Sequence, residues 1–213
     1  MSKLQIKRLE LGPLQANAYI LWLEEREDCL VIDPGDDIET LEAALKEIGR
    51  TPTDVLLTHG HFDHILGVAP LKEKYSVRVH IHPNDAHMLI HPGKALYIAA
   101  WCQSPFVPVE ADSPLPAGDE DWQIEICGIP FTGFRTPGHT PGCICLLNEE
   151  NGVLFTGDTL FAESYGRTDF PGGSDADMRE SIMRLLRMDR SLTVYSGHGR
   201  PDTLENIARR WRL

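Results

Sequence analysis

Between positions 58 and 67 the chain reads THGHFDHILG, with His59, His61, Asp63 and His64 directly behind the apolar run Val55-Leu56-Leu57. Neutral imidazole and carboxylate are donors that zinc and similar ions favour. A hydrophobic core could not easily satisfy four such groups without a metal. Gly60 is expected to tighten the turn so that the rings of His59 and His61 face one ion. Asp63 and His64, at the start of the next helix, are placed to serve a second ion nearby. Three later segments repeat this context. TPGHTPG sets His139 in a turn between two strands, FTGDTLF sets Asp158 just after a strand, and YSGHGRP sets His198 just after another. Each time an apolar strand ends, a glycine permits close approach and a ligand follows, as a preformed metal site on a rigid scaffold requires.

The elements that must deliver these residues follow from periodicity. Alternating or apolar runs predict strands at 4–9, 18–23, 29–33, 55–58 and 77–81 in the first half. In the second half they predict strands at 122–126, 129–135, 143–147, 153–156 and 193–195. Helices are expected at 38–48, stopping at Gly49, at 65–75 with a kink or break at Pro70, at 178–186 and at 203–212. Strands and helices interleave, and each half opens with a hairpin. That order suggests two sheets with helices over their outer faces. Residues 92–116 carry five prolines and the apolar stretch ALYIAAWC. This segment reads as a short helix completing the core, as a lid over a cleft, or as a contact for a second copy of the chain.

Composition bounds the function. The 213 residues are 42% hydrophobic and carry a formal net charge of −12, which disfavours a nucleic-acid partner. The basic cluster Arg209-Arg210-Trp211-Arg212 suits the negative end of a last helix instead. No run approaches the roughly 20 apolar residues of a membrane helix. The N-terminus lacks the apolar stretch of a secretory signal. Five cysteines without a CxxC pair argue against a disulfide framework, so a cytoplasmic location is expected.

In order along nearly the whole chain, HGHFDH, PGHTPG, GDTLF and SGHG resemble the metallo-β-lactamase fold superfamily, with all seven ligand positions filled. The resemblance implies one α/β domain over 1–213, a four-layer αββα sandwich. With fifteen residues after His198, the helical C-terminal domain of longer members is not expected. It implies two divalent metal ions. His59, His61 and His139 would hold the first, Asp63, His64 and His198 the second, and Asp158 would bridge them. Zinc is the foremost candidate, and the same donors accept iron or manganese. Two ions sharing a water make hydroxide available near neutral pH. Asp63 and Asp158 are then the catalytic carboxylates, Asp63 orienting that hydroxide. A thiolate leaves with little proton assistance, its conjugate thiol having a pKa of roughly 8.5, so thioesters and lactones suit such a site.

The segment GDTLFAESYGRTDFPGGS is similar to the small bacterial glyoxalase-II-like hydrolases. That similarity implies a small-molecule thioester substrate of the S-D-lactoylglutathione type. Arg167 stands about where longer glyoxalase II enzymes have a lysine that contacts glutathione, and could bind a carboxylate bidentately. It could equally pair with Asp169, which lies near the place of an expected tyrosine. Tyr165 either lines the cleft or packs the loop. Asp158 stands where the best-known metallo-β-lactamases have cysteine, so antibiotic hydrolysis is not expected, and His61 stands where flavodiiron proteins have glutamate. Persulfide dioxygenases are the chief rival. They share a similar GRTDF segment and use one iron, for which His59, His139 and Asp158 would be the ligands. A lactonase is a further alternative. A non-catalytic binding module would be expected to have lost ligands.

The second histidine-rich stretch, VHIHPNDAHMLIH, holds His80, His82, His87 and His91 with Asp85 as its one carboxylate, and reads as surface or core-edge residues. Cys143 and Cys145 share a strand face and read as buried thiols.

Overall fold

The computed structural model describes residues 3–91, 93 and 102–211. β1 (Leu4–Leu11) and β2 (Ala16–Leu23) form an antiparallel hairpin, with Leu4 opposite Leu23 and Leu11 opposite Ala16. β3 (Asp28–Ile32) pairs antiparallel with β2. The chain then crosses over through α1 (Ile38–Ile48), started by the Asp37 side chain accepting from the Thr40 amide and ended by Gly49 in left-handed geometry. β4 (Thr51–Leu56), β5 (Arg78–Ile81) and the two-residue β6 (Ser113–Pro114) extend the sheet in parallel to six strands. Three helices lie between or after these strands: α2 (Phe62–Ile65), α3 (Val68–Tyr75) and α4 (Pro83–Ala86).

The second sheet is a meander of β7 (Trp122–Ile126), β8 (Ile129–Arg135), β9 (Ile144–Asn148) and β10 (Val153–Gly157). After α5 (Asp175–Leu185), β11 (Thr193–Ser196) pairs parallel to β10, and β12 (Asp202–Thr203) closes the six strands before α6 (Leu204–Arg210).

Three apolar layers hold the sandwich together. Ala18, Ile20, Val31, Val55 and Leu57 pack under Leu41, Leu45 and Leu71 of α1 and α3. Tyr19, Leu21, Leu30, Ile32 and Leu56 meet Phe131, Ile144, Leu146 and Phe155 between the sheets. Phe134, Leu154 and Val194 lie under Met178, Ile182 and Ile207 of α5 and α6. The inner strands β3, β4 and β10 are covered on both faces, which is why they read as continuous apolar runs rather than alternations. The result is an αββα sandwich, as the sequence led us to expect.

Some boundaries differ. The break in the helical stretch falls at Leu66-Gly67, where α2 ends and α3 begins, and not at Pro70. Pro70 sits in the first turn of α3, where an amide would find no intrahelical acceptor in any case. β4 begins at Thr51, before the apolar part of the strand, and α5 begins at Asp175. α4 and the two-residue strands are too short to carry a period. Most of ALYIAAWC lies outside the described residues.

Candidate metal centre

All seven sequence-predicted ligands meet at one edge of the sandwich, each on a segment that follows a strand. His59 and His61 follow β4, with Asp63 and His64 on α2; His139 lies in the β8–β9 loop, Asp158 follows β10 and His198 follows β11. The donor atoms of His59, His61 and His139 lie within 4.8 Å of one another, as do those of Asp63, His64 and His198. Asp158 stands between the two trios. Its Oδ2 is 3.4 Å from His139 Nε2 and 3.6 Å from His198 Nε2, and its Oδ1 is 3.5 Å from His64 Nε2. Asp63 Oδ2 is 3.3 Å from His198 Nε2 and 3.6 Å from His64 Nε2.

Hydrogen bonds behind the site choose the tautomers. Asp33, buried after β3, accepts from the Thr58 amide at 2.8 Å and the Thr58 hydroxyl at 2.6 Å. With its proton so engaged, the Thr58 oxygen accepts from His59 Nδ1 at 3.1 Å, leaving His59 Nε2 to face the site. His64 Nδ1 donates to the same Asp33 carboxylate at 3.2 Å. His139 Nδ1 donates to the Arg167 carbonyl at 2.6 Å. Second partners of this kind are what orient metal-ligating imidazoles.

Electrostatics sorts the groups into two ends. Burial, helped by the neighbouring histidines, pushes His59 well below its ordinary range and His61 down to about 3, so both rings are neutral at pH 7. Burial also opposes charge on His64, but Asp63, Asp158 and Asp33 outweigh it and raise this ring to about 10. Burial would raise Asp63, yet His64 and His198 hold it below the usual carboxylate range. The carboxylates thus demand positive charge at the second trio, while the first offers neutral imidazoles.

Divalent metal fits this donor set. His59 Nε2, His61 Nε2, His64 Nε2 and Asp158 Oδ1 are buried with no hydrogen-bond partner. Orphaned buried polar atoms are costly, and two of these four, on His59 and His64, belong to rings whose other nitrogen is already anchored to a neighbour. His61 Nδ1 lies 2.6 Å from His139 Nε2, two lone-pair atoms aimed at one point.

The two residues expected to bind substrate are placed differently. The Arg167 guanidinium makes a bidentate pair with Asp169 at 2.7 and 2.6 Å and stacks 3.8 Å over the Phe170 ring. Tyr165 lies 5.5 Å from Trp211, and with Met178, Ile182 and Met183 the two rings line a cavity of about 380 Å³ beside α5. Phe170, which the sequence reading passed over, stands 6.0 Å from His61, and Phe161 stands 5.8 Å from His198. Asp33 was also missed, though it shares the signal of the ligands, a carboxylate directly behind an apolar strand.

The second histidine-rich stretch assembles no metal cluster among the described residues. His80 pairs with buried Asp54 at 2.8 Å, His82 caps α4, and His87 and His91 are exposed. Gly60 is needed for close approach more than for its turn, since a Cβ there would meet Met88 and the Asp85 carbonyl oxygen.

The metallo-β-lactamase superfamily model matches residues 11–198, and the chain belongs to that superfamily. A Haemophilus influenzae relative described as hydroxyacylglutathione hydrolase GloC is 30% identical, over 94% of this chain and 93% of its own. Among solved structures, BLEG-1, described as a B3 metallo-β-lactamase, superposes with a TM-score of 0.86 at 34% identity, covering 96% of this chain and 97% of that one. TTHA1623, described in a di-iron-bound form, gives a TM-score of 0.83 at 36% identity, with 96% and 98% covered. The family and the donor cluster make this a chain of the metallo-hydrolase class built for divalent metal. No helix among the described residues is long and apolar enough to cross a membrane.

Proposed function

We propose that this chain is a dinuclear metal-dependent thioesterase acting on a small-molecule substrate of the S-D-lactoylglutathione type. The observation that carries the reading is Asp158 set between two separate donor trios. His59, His61 and His139 would hold one ion, Asp63, His64 and His198 the other, and Asp158 both, with zinc the first candidate and iron or manganese the alternatives. When bound, such a pair supplies hydroxide at neutral pH and polarises the substrate carbonyl.

The chain's own groups do the rest. Asp63, whose Oδ2 lies 3.3 Å from His198 Nε2, is a carboxylate able to orient the attacking water and accept its proton. The thiolate leaves without a general acid, since its conjugate thiol has a pKa of roughly 8.5. Phe170 beside His61, with Arg167 stacked on it, forms a wall for the substrate. The likeness to the H. influenzae hydroxyacylglutathione hydrolase supports this substrate class. Cys29, Cys127, Cys143 and Cys145 are buried thiols, in keeping with a cytoplasmic setting.

The test starts from metal content. Near two divalent ions per chain, with S-lactoylglutathione cleavage abolished by chelation and restored by zinc, is the expected result. Near one iron per chain, with oxygen uptake on glutathione persulfide, overturns it. The likeness to BLEG-1 favours β-lactam hydrolysis as a second reading, so a chromogenic cephalosporin belongs in the same assay. Turnover of the cephalosporin alone would replace the thioester reading.

A further inference from the structure

Asp85 lies outside the ligand set, on α4, and is fully buried. Its carboxylate accepts three hydrogen bonds, all from the two loops that carry the first donor trio. The Gly60 amide donates at 3.0 Å, between His59 and His61. The Thr140 hydroxyl donates at 2.6 Å and the Gly142 amide at 2.8 Å, on either side of the turn that follows His139. The two loops come from different sheets, one after β4 and the other between β8 and β9. Both loops carry glycine where they meet this residue. A Cβ at Gly142 would overlap the Asp85 carboxylate, and one at Gly60 would press on its backbone carbonyl. α4 itself is held by His82 Nδ1 accepting from the Asn84 amide and by Pro83 in its first turn.

We infer that Asp85 is a positioning residue that sets the spacing of His59 and His61 against His139 by clamping their two loops to one carboxylate, and so fixes the affinity of the first metal position. This rests on the metal reading above. No neutral side chain can replace it in kind. Asparagine has one acceptor oxygen, and its amide nitrogen would face a donor with a donor. Groups behind metal ligands typically shift affinity about 10–100-fold when removed.

The experiment is zinc titration of the metal-free full-length chain against a chromophoric chelator, with circular dichroism as the check on folding. Wild type should show two sites. Asp85→Asn should weaken one of them about 10–100-fold and leave the other within about threefold. Thr140→Val, which removes a single bond of the three, should move the same site in the same direction by less. Asp54→Asn supplies the contrast: an equally buried carboxylate that serves His80 and Arg78, its loss should lower thermal stability and leave both zinc affinities unchanged. Wild-type affinities in Asp85→Asn and Thr140→Val, or equal weakening by Asp54→Asn, would overturn the positioning role alone. A wild-type chain that takes up no zinc would overturn the metal reading and this inference together.

Discussion

At the scale of single residues, the site depends on which ring nitrogen carries the proton, and ordinary groups make that choice. Thr58 is the pivot, giving its hydroxyl proton to Asp33 and accepting from His59 Nδ1. Thr58→Val keeps the shape and removes both bonds, leaving a buried Asp33 oxygen short of a donor. We expect about 1–3 kcal/mol of lost stability and roughly 10–100-fold weaker zinc binding, read by thermal melts and chelator competition. Thr58→Ser should restore both, because the hydroxyl is what matters. Equal losses in the serine variant would show that only packing of the methyl group is involved. The ligands themselves were legible because each lies close behind an apolar strand with a glycine nearby. Asp33 follows the same rule at the end of β3 but lies alone, without a neighbouring histidine to draw attention. Asp85 gives no sequence signal of its kind, since its partners are backbone amides and a hydroxyl far along the chain.

At the scale of elements, the strands were legible where both faces are buried, and the errors arise where local pattern and tertiary contact part. β4 begins with Thr51-Pro52-Thr53-Asp54, which looks like a loop, yet Asp54 is buried and paired with His80 and Arg78 of β5 and with Thr53. A charge inside a sheet is readable only once its partners are known. This pair also sets an acid response. Burial alone would raise Asp54, but the hydrogen bonds from His80, Arg78 and Thr53 prevail and lower it from 3.8 to about 2. A depressed carboxylate stabilises the fold above its unfolded value and loses that contribution as pH falls toward its folded one. Wild type should therefore lose about 2 kcal/mol from this group between pH 3.8 and about 2. In Asp54→Asn that part of the loss should vanish, leaving a protein less stable at pH 7 but with a shallower acid decline in urea melts. An unchanged slope would mean that Asp54 is not depressed in the folded state.

At the scale of the whole molecule, the donor trios draw on both sheets. His59, His61, Asp63 and His64 come from the end of β4, whereas His139, Asp158 and His198 come from the second sheet. A metal held by them ties the two halves of the sandwich at one edge, in addition to the apolar layer between the sheets. Binding to the folded chain alone adds stability by mass action, about 4 kcal/mol when free zinc stands at roughly 1,000 times its Kd. For a chain of this size each kcal/mol moves the melting temperature by about 2–4 °C, so chelation should lower it by roughly 8–16 °C. The position of the ligands makes the sharper prediction. His139→Ala, which removes a donor from the second sheet, should melt near the chelated wild type and respond little to added zinc. His87→Ala and His91→Ala, on exposed residues outside the cluster, should keep the full zinc response. If instead the latter variants lose it and His139→Ala does not, the stabilising metal sits on the VHIHPNDAHMLIH segment, and the edge where the sheets meet has another purpose.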